Sequence, residues 1–133
     1  MKNIIQPKNW KEPSGYSNAI STINNNTQNL YIGGQIGWNK DQIFIKKDFV
    51  GQIEQILTNI VIILESAGFT IKDLVRLNWY IIDRNHYILN KSEIGIVYRR
   101  IFGKYFPAMT MVVVNGLIEK DALVEIEGNA VKS

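Results

Sequence analysis

The pattern of apolar and polar residues near the end of the chain predicts two strands. Residues 106–114 are almost all apolar, which is typical of a largely buried strand. Residues 123–131 alternate with a period of two, so apolar side chains share one face while Glu125 and Glu127 share the other. A strand with two carboxylates on one face, beside an apolar strand, is where we expect the chemistry of this protein.

Earlier in the chain the pattern predicts three short strands, over residues 16–23, 30–38 and 43–45. The asparagines at 24–26 mark a turn that joins the first two as a hairpin, and no element is predicted in the polar residues 1–15. Three glycines interrupt the second strand: Gly33, Gly34 and Gly37. Because glycine is costly inside a strand, they indicate a β-bulge or the close approach of a backbone or ligand.

A broad apolar stripe predicts a long helix that begins after Asp48 and ends before Gly68. A strand over residues 74–82 follows. Its two faces are predicted to carry Val75, Leu77, Trp79 and Ile81 on one side and Arg76, Asn78, Tyr80 and Ile82 on the other. A second helical region is predicted between Asp83 and Pro107, with Leu89 on its apolar side.

The predicted order is therefore β-β-β-α-β-α-β-β. Two helices on one face of a mixed sheet give a two-layer α+β domain. The other face of the sheet then stays uncovered, and it would carry Arg76, Tyr80 and the two glutamates. A largely open sheet face on a small domain predicts a partner, so we expect an oligomer whose subunits bury this face together.

Composition limits the chemistry that the chain can carry. The 133 residues are consistent with one domain, residues 1–133, and they include no cysteine and a single histidine, His86. Thiolate chemistry, a metal site built on Cys or His and a His-dependent triad are therefore not expected. We expect no metal and no cofactor.

The net charge of +3 comes from scattered basic residues, with small pairs at Lys46-Lys47 and Arg99-Arg100. Neither pair lies in a patch with interleaved aromatic residues, so binding to nucleic acid is not favoured. The first residues are too polar for a signal peptide, and no apolar run is expected to reach membrane-spanning length. We therefore expect a cytoplasmic protein that binds no membrane.

Short motifs along nearly the whole chain carry a family resemblance. They are Gly15 to Ala19, Gly34-Gln35-Ile36, Asn59 with Leu64 to Gly68, Asp73 to Arg76, Phe106-Pro107-Ala108, and Leu123 to Glu127. In this order and spacing they resemble the RidA/YjgF family of reactive-intermediate (enamine/imine) deaminases. The resemblance implies a chorismate-mutase-like α+β fold, a homotrimer, and small-molecule clefts between neighbouring subunits.

The resemblance also implies catalytic candidates. In the family's deaminases a Glu in the last strand positions the attacking water and a Tyr near the N-terminus lines the cleft, which implies Glu125 and Tyr16 here. An Arg after the Pro-Ala pair holds the carboxylate of an imino acid, but this chain has Met109 there. The resemblance thus implies hydrolysis of an imine or enamine to a carbonyl compound and ammonia, with a substrate other than a simple amino-acid imine.

The uncharged substrate-binding candidates also have ordinary structural explanations. Met109 is either a strand core residue or an apolar pocket wall, beside a hydroxyl supplied by Thr110. Gly33 and Gly34 either expose backbone groups to a ligand or serve strand geometry. Trp38 either stacks on a ligand or packs at a surface or interface.

The charged candidates have two interpretations as well. Glu125 is either the residue that orients water or a structural carboxylate paired at a subunit interface, and for Glu127 the structural role is favoured. Arg76 is either an ion-pair partner of a glutamate or a replacement anchor that reaches the cleft.

Three functions remain open at this stage. The first is hydrolysis of an imine or enamine in a cleft between subunits. The second is a non-catalytic trimer that binds a small metabolite, which the missing arginine favours. The third is an RNA-directed translation inhibitor or ribonuclease, against which the scattered charge argues.

Overall fold

The computed structural model describes residues 1–133 as a six-stranded mixed sheet with helices on one face. The strands are β1 (Lys2–Ile5), β2 (Ala19–Asn24), β3 (Thr27–Ile36), β4 (Leu74–Ile81), β5 (Ala108–Val113) and β6 (Val124–Lys132). The helices are α1 (Phe49–Ser66), α2 (Arg84–Ile88) and α3 (Lys91–Phe102). The strand order is β1-β2-β3-β6-β4-β5, antiparallel throughout apart from the parallel pair β4–β5. The predicted two-layer α+β class is confirmed.

The core lies between α1 and the inner face of the sheet. The Asp48 side chain caps α1 by accepting a hydrogen bond from the Gly51 N–H at 2.9 Å, and Gly68 follows the helix end with a φ of +80°. Val124, Ile126 and Ala130 of β6 are fully buried, whereas Glu125 and Glu127 stay half-buried on the other face. The alternation predicted for this strand is therefore confirmed.

Helix α1 qualifies one expectation from the sequence. Its 18 residues are long and apolar enough, by length and composition alone, to cross a membrane, so the expectation that no apolar run approaches that length is wrong for this helix. More than half of α1 is buried inside the domain, against β3, β6 and α3. It is the central helix of the core.

Three strands precede α1, as predicted, but one of the predicted strands is absent and another lies where none was predicted. The predicted strand over residues 43–45 is a loop, in which the Asn39 side chain accepts hydrogen bonds from the backbone N–H groups of Asp41 and Ile43. Ile43 is 54% exposed, so its apolar character does not reflect burial. Conversely, β1 lies in the segment where no element was predicted, pairing with the edge of β2. Because β1 is an edge strand whose residues are mostly exposed, its sequence shows little alternation of apolar and polar residues.

Strands β4 and β5 also differ from prediction. Residues 106–114 were expected to be largely buried, but β5 is an edge strand and five of its six residues are exposed. A register shift between Leu74 and Arg76 moves Val75 off the buried face of β4. The second helical region divides into α2 and α3, and Leu89 between them is 78% exposed rather than apolar core.

Candidate functional site

A cavity of about 330 Å³ lies where the bulged end of β3 meets β6. Five of the eight residues proposed from the sequence line it: Tyr16, Gly33, Gly34, Trp38 and Glu125. We call it the Glu125 cavity. The residues come from the loop before β2, the end of β3, the segment after β3, and β6, so the fold assembles them from distant parts of the chain.

The β3 bulge shapes this cavity. Ile32 lies opposite Gly128 of β6, but Gln35 lies opposite Ile126, so β3 contains one extra residue at the two glycines. Beyond the bulge, Ile36 lies opposite Glu125 and lines the same cavity. The bulge indicated by the glycines is therefore present, and it brings the end of β3 against the carboxylate.

Gly34 leaves the space that the Glu125 side chain occupies. A Cβ atom at position 34 would lie 2.1 Å from Oε2 of Glu125, far inside van der Waals contact. Gly33, by contrast, donates its N–H to the Asn18 carbonyl at 2.8 Å, so that amide is not offered to a ligand. The two glycines thus have different roles: Gly34 makes room for Glu125, and Gly33 ties β3 to the loop before β2.

Glu125 is one of the two carboxyl groups that line the cavity, with Glu119. Burial raises the pKa of its carboxyl group, and the nearby Glu127 carboxylate raises that pKa further. Within the single chain, Glu125 accepts no hydrogen bond from another side chain and forms no ion pair. A half-buried, unpaired carboxyl group beside a cavity can exchange a proton with a bound water or ligand.

Glu127, two residues along the same face, is paired. Its Oε2 accepts hydrogen bonds from the Tyr80 hydroxyl at 2.7 Å and from the Asn78 side-chain amide at 3.2 Å. The hydrogen bond to Glu127 is the main reason why the pKa of Tyr80 is raised. Arg76 was considered as the partner of a glutamate, but its guanidinium donates to the Thr110 hydroxyl at 3.2 Å. The expected ion pair is absent.

Tyr16 faces the cavity from the loop before β2. Its ring is 48% exposed, and partial burial, followed by the charge of Glu119, raises the pKa of its hydroxyl. Two buried amides hold this loop in place: the Gln35 side chain donates to the Asn18 side-chain oxygen at 3.3 Å. Asn18, Gln35 and Glu119 all line the cavity. Sequence reasoning did not select them, although Asn18 and Gln35 stand inside the motifs that carry the family resemblance.

Three of the proposed residues lie outside this cavity. Met109 is opposite the core residue Leu77 on β4, so its side chain faces the helices. Thr110, the next residue, points to the open face of the sheet, where it meets Arg76. Within one chain, therefore, Met109 lies on the other face of the sheet from Glu125, and Arg76 does not reach Glu125.

Trp38 has a packing role as well as a place in the cavity wall. Its ring lies 5.8 Å from that of Phe44 at an interplanar angle of 48°, and its carbonyl accepts a hydrogen bond from the Asn59 side chain at 2.9 Å. Asn59 is a buried residue of α1. The helix core therefore fixes the loop that carries Trp38.

Comparison with known proteins places the chain in a family. Residues 9–132 match the model of the family described as endoribonuclease L-PSP. A RutC family protein of Pyrococcus horikoshii is 37% identical over 134 residues, covering 99% of both proteins. A 2-iminobutanoate/2-iminopropanoate deaminase of Dermatophagoides farinae is 31% identical over 128 residues, covering 95% of this chain and 93% of that protein.

A crystal structure supports the same assignment. A member of the conserved Rid protein family from Yersinia pestis superposes with a TM-score of 0.79 at 36% identity, covering 98% of each chain. The match in sequence and fold extends over nearly the full length, including β3 and β6, which build the Glu125 cavity. The chain therefore belongs to the RidA/YjgF family.

Proposed function

We propose that this protein hydrolyses a reactive imine or enamine to a carbonyl compound and ammonia in the Glu125 cavity, as a cytoplasmic homotrimer. The observation that carries the proposal is the unpaired carboxyl group of Glu125, which is half-buried at the cavity wall and has a raised pKa. The similarity to a protein named as an iminobutanoate deaminase supports the reaction class. The open sheet face, with its polar row of Asn78, Tyr80 and Glu127, supports assembly through that face.

The chemistry requires one group that both accepts and returns a proton. As water attacks the C=N carbon, Glu125 takes a proton from the water and passes it to the nitrogen, which gives a tetrahedral carbon that carries one hydroxyl and one amino group. Glu125 then takes the hydroxyl proton and delivers it to the amino group, so the C–N bond breaks and ammonia leaves as the C=O bond forms. Overall, one water and one imine give one carbonyl compound and one ammonia. A carboxyl group with a raised pKa suits both proton transfers near neutral pH.

Tyr16 and Trp38 have supporting roles in the proposal. The Tyr16 hydroxyl is protonated at neutral pH, as an ordinary tyrosine is, and its raised pKa acts in the same direction, so it can donate a hydrogen bond to a polar atom of the substrate. The Trp38 ring provides an apolar wall for the substrate body. Since Met109 replaces the arginine expected from the family, the preferred substrate is not a simple amino-acid imine.

The test is release of ammonia from imines generated freshly in the assay by an amine oxidase, with amino-acid imines made by an amino-acid oxidase for comparison. Glu125→Gln keeps the size and polarity of the side chain but cannot move the proton, so kcat should fall by about 10²- to 10⁴-fold. The matched control is Glu65→Gln, which changes an exposed carboxylate at the end of α1. A rate no higher than buffer for the unaltered protein, or equal rates for both variants, would remove the proposal.

A non-catalytic, metabolite-binding trimer is the second candidate, and the apolar residue Met109 at the anchor position favours it. Such a protein would gain thermal stability from a metabolite without converting it. Thermal-shift measurements with imine precursors and their keto products, made beside the ammonia assay, separate the two functions: stabilisation without turnover supports binding alone.

A further inference from the structure

The charged side chains that line the Glu125 cavity are both negative. They are Glu119 and Glu125, no lysine, arginine or histidine lines the cavity, and neither carboxylate forms an ion pair within the chain. Burial, followed by the charge of Glu119, raises the pKa of Tyr16, so the Glu119 carboxylate acts on the space that Tyr16 also lines. A small cavity with two acidic residues and no basic one attracts a cation and repels a carboxylate.

The wall beside Glu119 is aromatic. Trp38 lines the Glu125 cavity, and both Trp38 and Glu119 also line a second cavity of about 350 Å³. The two residues therefore share one stretch of wall. The Trp38 ring is only half-buried, and it packs at a tilt against Phe44 with the centroids 5.8 Å apart. The face of an indole is the aromatic surface that binds ammonium groups best, and a neighbouring carboxylate adds to the attraction.

A buried amide of α1 fixes the turn that carries Glu119. Gln52 is fully buried, its Nε2 donates to the Asp121 carbonyl at 2.9 Å, and its Oε1 accepts from the Leu123 N–H at 2.8 Å. The Ala122 N–H closes the turn by donating to the Glu119 carbonyl at 3.0 Å. The backbone of Glu119 is thus held in place before a ligand binds, which lowers the entropic cost of binding.

Basic residues occur only beyond this shared wall. Lys47 and Lys120 line the second cavity together with Asp121, and neither lysine lines the Glu125 cavity. The excess of negative charge is therefore confined to the side of the wall on which Glu125 lies. A cationic group of a ligand belongs on that side, against Glu119 and the Trp38 ring.

We propose that the substrate is an imine that carries a second, cationic nitrogen, such as a terminal ammonium group, and that Glu119 and Trp38 bind this cation while Glu125 acts at the C=N carbon. The inference rests on the proposed imine hydrolysis and names the substrate class. Water and the imine give ammonia and a carbonyl compound that keeps its ammonium group. The same charges explain how the cavity can do without an anchoring arginine at Met109, because the substrate has no carboxylate to hold.

The binding test is calorimetric titration of the full chain with three compounds of equal chain length: 1,6-diaminohexane, 6-amino-1-hexanol and 6-aminohexanoate. Each has an amino group in place of the imine nitrogen, and the far end is cationic, neutral or anionic. The diamine should bind about 10-fold more tightly than the amino alcohol, and the amino acid should bind most weakly. Glu119→Gln should bring the diamine and the amino alcohol to within about 2-fold of each other. The matched control is Glu65→Gln, an exposed carboxylate that lines neither cavity and should keep the preference.

The kinetic test compares ammonia release from the imines that a flavin amine oxidase makes from the diamine and from the amino alcohol. The ratio of the two kcat/KM values should favour the ammonium-bearing imine and fall toward one in Glu119→Gln. Equal affinities for the diamine and the amino alcohol, or an undiminished preference in Glu119→Gln, would overturn the inference. Hydrolysis of both imines at equal kcat/KM would overturn it too, while imine hydrolysis itself would stand. Tighter binding of the diamine through Glu119, without ammonia release above buffer, would keep the cation site and remove the proposed hydrolysis.

Discussion

Replacing Gly34 by alanine should displace Glu125 without unfolding the protein. The new Cβ would lie 2.1 Å from Oε2 and 2.8 Å from the carboxyl carbon, whereas ordinary contact begins at 3.4 Å. The Oε2 atom therefore has to retreat by about 1.3 Å, the difference between 3.4 and 2.1 Å. A shift of roughly 1 Å in a catalytic group can lower the rate about 10²-fold, and we expect a loss of that size in kcat/KM.

Stability should change little, because the clash is with the far end of a flexible side chain and Gly34 has no positive φ. The assay is ammonia release alongside thermal unfolding. Gly116→Ala is the control, since a Cβ there meets nothing within 4 Å. If Gly34→Ala keeps the rate of the unaltered protein while a crystal structure shows Glu125 displaced, the carboxylate is not the proton carrier.

Four further outcomes are expected. The folded-state pKa of Glu125 lies above its unfolded value, so the stability it contributes is present at low pH and is lost as the pH rises through the raised pKa. Glu125→Gln should accordingly raise Tm near pH 7 but not near pH 4. Equal changes in Tm at the two pH values would contradict the raised pKa of Glu125. Glu127→Gln removes a charge that raises the pKa of Glu125, so the acidic limb of the rate–pH profile should move to lower pH. If this limb does not move, a group other than Glu125 controls it. Met109→Arg should raise the rate for imines of amino acids if this position still serves as the anchor, measured as kcat/KM; no gain means that the site has been rebuilt. Ile126→Ala empties a fully buried site and should cost about 2–5 kcal/mol in urea unfolding, whereas a cost below about 1 kcal/mol would mean that the core collapses onto the gap.

The parts of the fold with strong periodicity could be predicted from the sequence. Helix α1 has a continuous apolar stripe and an Asp48 cap, and β6 alternates cleanly, so both were located correctly. Strand β1 and the exposed loop around Ile43 were assigned wrongly, because pairing at a free edge or in a loop imposes no burial pattern. The apolar character of β5 was correctly noted but wrongly equated with burial in a single chain.

Only part of the candidate site could be predicted from the sequence. The resemblance selected Tyr16, Gly34 and Glu125, and the fold brings them to one cavity. It also grouped Met109 with them, but alternation along β5 sends Met109 to the helix face. No local pattern reveals the buried amides that hold the Tyr16 loop, since their partners are distant in the chain.

The position of β6 in the sheet has a consequence for biosynthesis. Of the six strands of this sheet, β6 is synthesised last, and it lies at the centre, bonded to β3 on one side and to β4 on the other. Until it is made, the β1–β3 hairpin unit and the β4–β5 pair have no direct ladder between them. The apolar helix α1 therefore emerges before the strand that completes its cover, so a nascent chain cannot close its core step by step. Completion of the core has to wait for β6, and a chain without this strand would have no sheet pairing between the β1–β3 unit and the β4–β5 pair.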